Sequence, residues 1–172
     1  MLLHNGKENF DIVIRAASRY FNVSQAIIEK DYYVTLVLRE LAKQVPNLLF
    51  KGGTSLSKCY KIIDRFSEDI DITLDWEHQS QGKRRNLKYT IVEICNNLGL
   101  NLLNKDETRS RRDYNCYIID YCARYSLSGL NSQLLVETVF IVKAFPDEVK
   151  QASSMIYDYL KAIGNYEAIA QY

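Results

Sequence analysis

A chain of 172 residues with 47% hydrophobic side chains can bury a core of its own, and one domain is the simplest reading. With 22 Lys and Arg against 21 Asp and Glu the net charge is +1, which excludes a chain-wide field drawing it to nucleic acid or an anionic membrane. Four cysteines without a C-x-x-C pair and only two histidines, His4 and His78, argue against structural zinc and against a Ser-His or Cys-His nucleophile. The sequence shows no basic-then-apolar leader and no apolar run near the ~18 residues of a membrane span, so a reducing cytoplasm is expected.

Apolar residues recur at helical spacing from Asn9 to Phe21, through Phe10, Ile12, Val13, Ala16, Ala17 and Tyr20. A second helix is expected behind the N-cap Ser24, through "QAIIEKDYYVTLVLRELAKQ" to the neighbourhood of Pro46. "NLLFK" then reads as a buried strand closed by Gly52-Gly53, and "TSLSKCYKII" returns to helical spacing. "DIDITLDW" alternates acidic or polar residues with Ile70, Ile72 and Leu74, the pattern of a strand with one buried face. "GKRRNLKYTIVEICNNLG" predicts a helix whose basic first half is solvated, followed by strands in "YNCYIIDY" and "SQLLVETVFIV". From Pro146 a helix is expected over "DEVKQASSMIYDYLKAIG", with a short last one to Tyr172. The chain divides into a helical front end (1–46), a sheet-bearing core (47–145) and the beginning of a helical C-terminal part (146–172). Most of the thirteen tyrosines fall on apolar stretches and read as packing residues.

Residues two apart on a strand point the same way, so Asp69 and Asp71 present paired carboxylates on one face. A hard divalent cation would neutralise them, taking carboxylate and phosphate oxygens together; a solvated strand end is the plain alternative. Glycines after a strand let backbone N–H groups approach an anion, and the following helix N-terminus favours one, so Gly52-Gly53 reads as a phosphate turn or merely a tight one. Thr54 and Ser55 add hydroxyls, and Lys58 lies one helical turn on. The Walker A pattern is absent.

Taken together, "KGGTSLSKCY", "RFSEDIDI" and the upstream "EKDYYVT" resemble the AbiEii/AbiGii nucleotidyltransferase toxins, members of the DNA polymerase β-like nucleotidyltransferases; "YNCYIIDY", "LLVETVF" and "IYDYLKAIG" extend the likeness from Glu29 to Tyr172. The resemblance implies an α/β (α+β) fold, a small mixed sheet flanked by helices. It implies transfer of a nucleoside monophosphate from an NTP to a tRNA 3′ end or a protein hydroxyl, in a bacterial toxin-antitoxin or phage-defence system, with an antitoxin as partner. Asp69, Asp71 and Glu137 take the catalytic role and hold Mg²⁺ or Mn²⁺, Asp120 being the rival third acid. Gly52, Gly53, Thr54, Ser55, Lys58 and Ser67 take the phosphates. Arg65 and Lys51 either steer the substrate or form structural ion pairs. Glu29, Lys30 and Asp31 either position the second helix beside the site or form a surface ion network. Family members continue into a C-terminal part with a further lysine and acid that do not follow Tyr172 here, so a non-catalytic nucleotide- or antitoxin-binding module stands as the alternative. A D-x-D glycosyltransferase is disfavoured by length.

Overall fold

The computed structural model describes residues 2–63, 66–140 and 146–170; Arg65 and the end of the expected last strand lie outside them. After a 3-10 turn (Leu3–Asn5), the helical front end comprises α1 (Lys7–Phe21) and α2 (Gln25–Gln44). Ser24 caps α2 as expected, its Oγ accepting the Ala26 N–H, while Asn22 ends α1 in the left-handed region. Strand β1 (Leu48–Lys51) runs directly into α3 (Gly52–Ser55), which widens into a π-helical stretch over Leu56–Tyr60. Then come β2 (Ile70–Leu74), α4 (Gln81–Leu98), β3 (Asn101–Leu102), β4 (Tyr114–Asp120), β5 (Gln133–Val139), α5 (Met155–Ala162) and α6 (Tyr166–Ala170).

The five strands form one mixed sheet in the order β1-β2-β5-β4-β3, with β2 and β5 parallel and the other pairs antiparallel. One face is core: Ile70, Ile72, Leu74, Leu134, Val136, Tyr117 and Ile119 are buried with Phe10, Ile14, Ile28, Leu41, Ile91, Ile94, Ile156 and Leu160 from the helices. The alternation that predicted β2 is the cause, since each isoleucine turns to the helices and each aspartate to the other face. Among the described residues no helix is long and apolar enough to cross a membrane, and all four cysteines are free thiols.

One expectation needs correction, and one short strand is added. The helix expected from Pro146 starts only at Met155, where Ser154 Oγ accepts the Tyr157 N–H; residues 147–154 form neither helix nor strand. The reason is the cap: a good N-cap with a buried helix face behind it, Ile156 and Leu160, outweighs the weakly apolar "DEVKQA". The short strand β3 was also not anticipated, two residues being too few to show alternation.

Candidate active site

Cross-strand register places four side chains in one row on the face away from the helices. Lys51 pairs with Asp71, Asp71 with Glu137, and Glu137 with Cys116. Residues directly opposite on neighbouring strands share a face with backbones about 4.8 Å apart, so Asp71 and Glu137 stand side by side. Asp69 precedes Asp71 by two residues and faces the same way just before β2 begins. Burial, then the negative charges of Glu68 and Glu137, hold the Asp69 carboxyl above its usual range. Asp71 is raised likewise, by burial and then Glu137, with Lys51 opposing. Tyr114 donates its hydroxyl to Glu137 Oε1 at 3.1 Å, and burial with that carboxylate pushes its phenol up to about 12. Asp120 lies four residues beyond Cys116 on β4, about 13 Å along the strand, and accepts the Cys122 N–H instead.

The glycine turn closes directly on this row. Gly52 sits at φ 74°, and a Cβ there would meet the Asp71 side chain, 2.7 Å from its Cγ and closer still to Oδ2. Only glycine lets the chain turn there while Asp71 keeps its place. Behind the turn the expected phosphate ligands hold one another. Thr54 Oγ1 donates to Ser67 Oγ at 2.9 Å, tying α3 to the loop before Asp69, and Ser55 Oγ donates to the Gly52 carbonyl at 2.8 Å. Thr54 and Ser55 are buried, which leaves the backbone of the exposed Gly52 and the half-buried Gly53 as the part of the turn accessible to an anion. Lys58 is also buried: its ammonium pairs with Asp31 and donates to Thr35 Oγ1 at 2.8 Å and the Ser153 carbonyl at 3.4 Å.

The acids of "EKDYYVT" are not a surface network. Glu29, Lys30 and Asp31 are buried, and each ties α2 to a different segment. Glu29 accepts the backbone N–H groups of Arg124 and Tyr125 at 3.1 Å, past the end of β4; burial raises its carboxyl and those two bonds oppose the rise. Lys30 pairs with Glu68, next to Asp69, and donates to the Asn131 carbonyl at 2.7 Å, ahead of β5. Asp31 holds Lys58 and accepts the Met155 N–H at 2.6 Å, the start of α5. A charged run on a helix reads as solvated unless the segments that cover it are known, so sequence spacing alone could not show this.

A family model described as "Nucleotidyl transferase AbiEii toxin, Type IV TA system" matches residues 36–165. The chain belongs to this family. Its nucleotidyl transferase toxins are those of type IV toxin-antitoxin systems, and the matched segment contains the whole Lys51-Asp71-Glu137-Cys116 row and the Gly52 turn. Glu29, Lys30 and Asp31 lie just N-terminal to it. No curated protein and no solved structure matches the chain.

The acids offer the hard oxygen donors that Mg²⁺ or Mn²⁺ takes, and Asp69 and Asp71 are raised first by burial and then by neighbouring carboxylates, both of which a bound cation would offset. The donor type therefore fits a divalent cation. Among the described residues, however, no group of three or more His, Cys, Asp or Glu side chains converges as a finished coordination shell. Asp69, Asp71 and Glu137 would have to turn toward a common point to bind one.

Proposed function

We propose that the chain is a nucleotidyltransferase toxin that moves a nucleoside monophosphate from an NTP to an acceptor hydroxyl and releases pyrophosphate. The observation that carries the reading is the Asp71–Glu137 pair with the Gly52 turn pressed against Asp71, an anion-receiving backbone and excess carboxylate charge in contact. Bound at Asp69, Asp71 and Glu137, Mg²⁺ or Mn²⁺ would supply the Lewis acidity and charge neutralisation that phosphoryl transfer needs. Backbone N–H groups at Gly52 and Gly53 take the β and γ phosphates, while Thr54, Ser55 and Ser67 hold the turn's shape and Lys58 anchors α3 to α2 through Asp31. Lys51, one strand from Asp71, draws in the triphosphate. Glu137, with the Tyr114 hydroxyl on one oxygen, accepts the proton of the acceptor hydroxyl at its other. The cognate antitoxin is the expected protein partner.

Pyrophosphate release from each NTP in Mg²⁺ buffer, with cellular RNA and protein present as acceptors, tests the reading, with Asp69→Asn/Asp71→Asn alongside. Release by the wild type alone is the expected result, and equal background from both would overturn it. One observation favours a second reading, a nucleotide- or antitoxin-binding module without turnover: the three acids do not converge. Under that reading NTPs raise the melting temperature, yet no pyrophosphate forms.

A further inference from the structure

Asp69 is the acid that no strand ladder holds. Pairing with β1 begins at Asp71 and pairing with β5 at Ile70, so register fixes Asp71 and Glu137 while Asp69 stands one residue ahead of β2. Outside a ladder, two soft backbone dihedrals decide where a side chain points, and only the neighbouring residues can restrain them.

Both residues before Asp69 are restrained. Ser67 Oγ accepts from Thr54 Oγ1 at 2.9 Å, which moors the segment to the glycine turn. Glu68 pairs with the Lys30 ammonium, which reaches it from α2 in the helix layer. Lys30 is wholly buried at 0% exposure, a position that is expensive for an ammonium unless a counter-ion and a further acceptor meet it. Glu68 supplies the charge, and the Asn131 carbonyl, at 2.7 Å, the second acceptor. Asn131 is itself held, its Oδ1 accepting the N–H of Gln133, the first residue of β5, at 3.0 Å. The ammonium is therefore a fixed point. Glu68, with its side chain 30% exposed, is the member of the pair that could otherwise turn to water.

Stability alone does not call for such a pair, because well-packed apolar side chains of similar volume often serve as well. What the pair adds is direction. Consecutive residues leading into a strand point to opposite faces, so a Glu68 drawn toward the helices sends Asp69 to the open face, the side of Asp71 and Glu137. The charge of Lys30 also reaches this carboxylate: burial, then Glu68 and Glu137, raise Asp69, and Lys30 opposes them.

Resting on the nucleotidyltransferase reading, we infer that Lys30 is a positioning residue, which through Glu68 aims the Asp69 carboxylate at the divalent cation shared with Asp71 and Glu137. Lys30 touches neither cation nor nucleotide. A helix on the covered side of the sheet thereby sets a side chain on the open side.

Aim and charge differ in sign. Removing Lys30 leaves more negative charge near Asp69, so charge alone predicts tighter cation binding, whereas loss of aim predicts weaker binding. Mn²⁺ titrated into the metal-free full chain, with free ion measured by its paramagnetic resonance signal, reads this without any turnover. Wild type is compared with Lys30→Met, with the charge-neutral Lys30→Met/Glu68→Gln, and with Arg84→Met/Asp113→Asn, which removes an ion pair of α4 instead. Both Lys30 variants are expected to bind Mn²⁺ about 10–100-fold more weakly, the usual cost of losing a partner behind a metal ligand. The α4 pair is expected to stay within about twofold of wild type. The double variant leaves no buried charge unpaired, so its urea midpoint should stay near that of wild type and a folding defect cannot mimic the result. In an Asp69→Asn background the same double change should weaken Mn²⁺ by less than about twofold further, because there is no carboxylate left to aim.

Tighter binding by Lys30→Met with wild-type affinity in the double variant would reduce Lys30 to a charge and overturn the proposal. So would a full further loss in the Asp69→Asn background, which would place the effect elsewhere. Label transfer separates this from the underlying reading. If the wild type transfers label and the double variant matches it in Mn²⁺ affinity, the positioning role is wrong and the enzyme stands. If the affinities fall as expected but no NTP is cleaved, the enzyme is wrong and Lys30 stands as the residue that orders a metal site.

Discussion

Gly52→Ala should be costly for two separable reasons. An alanine at φ 74° pays the left-handed penalty of about 1–2 kcal/mol. Its Cβ would also stand 2.7 Å from Asp71 Cγ, so the carboxylate must leave its rotamer, at about 0.5–1.5 kcal/mol more. The sum, about 1.5–3.5 kcal/mol, corresponds to roughly 3–14 °C in Tm for a chain of this size. Gly164 offers an internal control, because it sits at φ 71° with nothing within 4 Å of the point a Cβ would occupy, so Gly164→Ala bears only the backbone part. Urea denaturation of the two variants, each also in an Asp71→Ala background, isolates the collision. The excess of Gly52→Ala over Gly164→Ala should fall sharply once the Asp71 carboxylate is gone, leaving only the 3.0 Å approach to Asp71 Cβ. Equal losses for the two glycines, or an excess that Asp71→Ala leaves undiminished, would refute the claim that the turn is built around that carboxylate.

Other consequences are as direct. Asp31→Asn leaves the Lys58 ammonium buried without its counter-ion and should cost about 3–5 kcal/mol by urea denaturation, whereas Lys30→Met should cost less because Glu68 is 30% exposed and can turn to water. Asp71→Asn removes one of two adjacent like charges, so in metal-free buffer at neutral pH it should melt higher than wild type, while added Mg²⁺ raises only the wild type. His4, whose Nδ1 lies 2.8 Å from the Tyr32 hydroxyl, is held below its usual pKa mainly by burial. A depressed histidine contributes stability that is present above the unfolded value of ~6.5 and is lost as pH falls from there toward the folded value. The urea midpoint should therefore drop between neutral and mildly acidic pH more for wild type than for His4→Gln.

Much of this architecture is legible in the amino acids because two periods carry it. The isoleucines of "DIDITL" fix which face of β2 is buried, and Ser24 fixes where α2 begins. Glu137 is legible too, as a charge interrupting an apolar strand, and the register sets it beside Asp71. What spacing does not reveal is any contact made across the fold. Lys58 looks like a phosphate ligand because it follows a glycine turn, yet its ammonium is drawn to Asp31, 27 residues upstream. Glu29, Lys30 and Asp31 look solvated because the backbone groups and charges that satisfy them come from residues 58 to 155. The grouping of the α4 cations with those of the loop before β4 escapes a reading of net charge for the same reason: the two are separate in sequence and joined only when Lys88 reaches the loop carbonyls.

The central claim is group transfer at the Asp71–Glu137 pair. The most direct measurement incubates purified protein, Mg²⁺ and each α-phosphate-labelled NTP in turn with cellular RNA and protein, beside Asp69→Asn/Asp71→Asn. Label moving to RNA or protein in the wild type and lost in the variant is the expected result. Well-folded protein that binds NTP but leaves every acceptor unlabelled would contradict it.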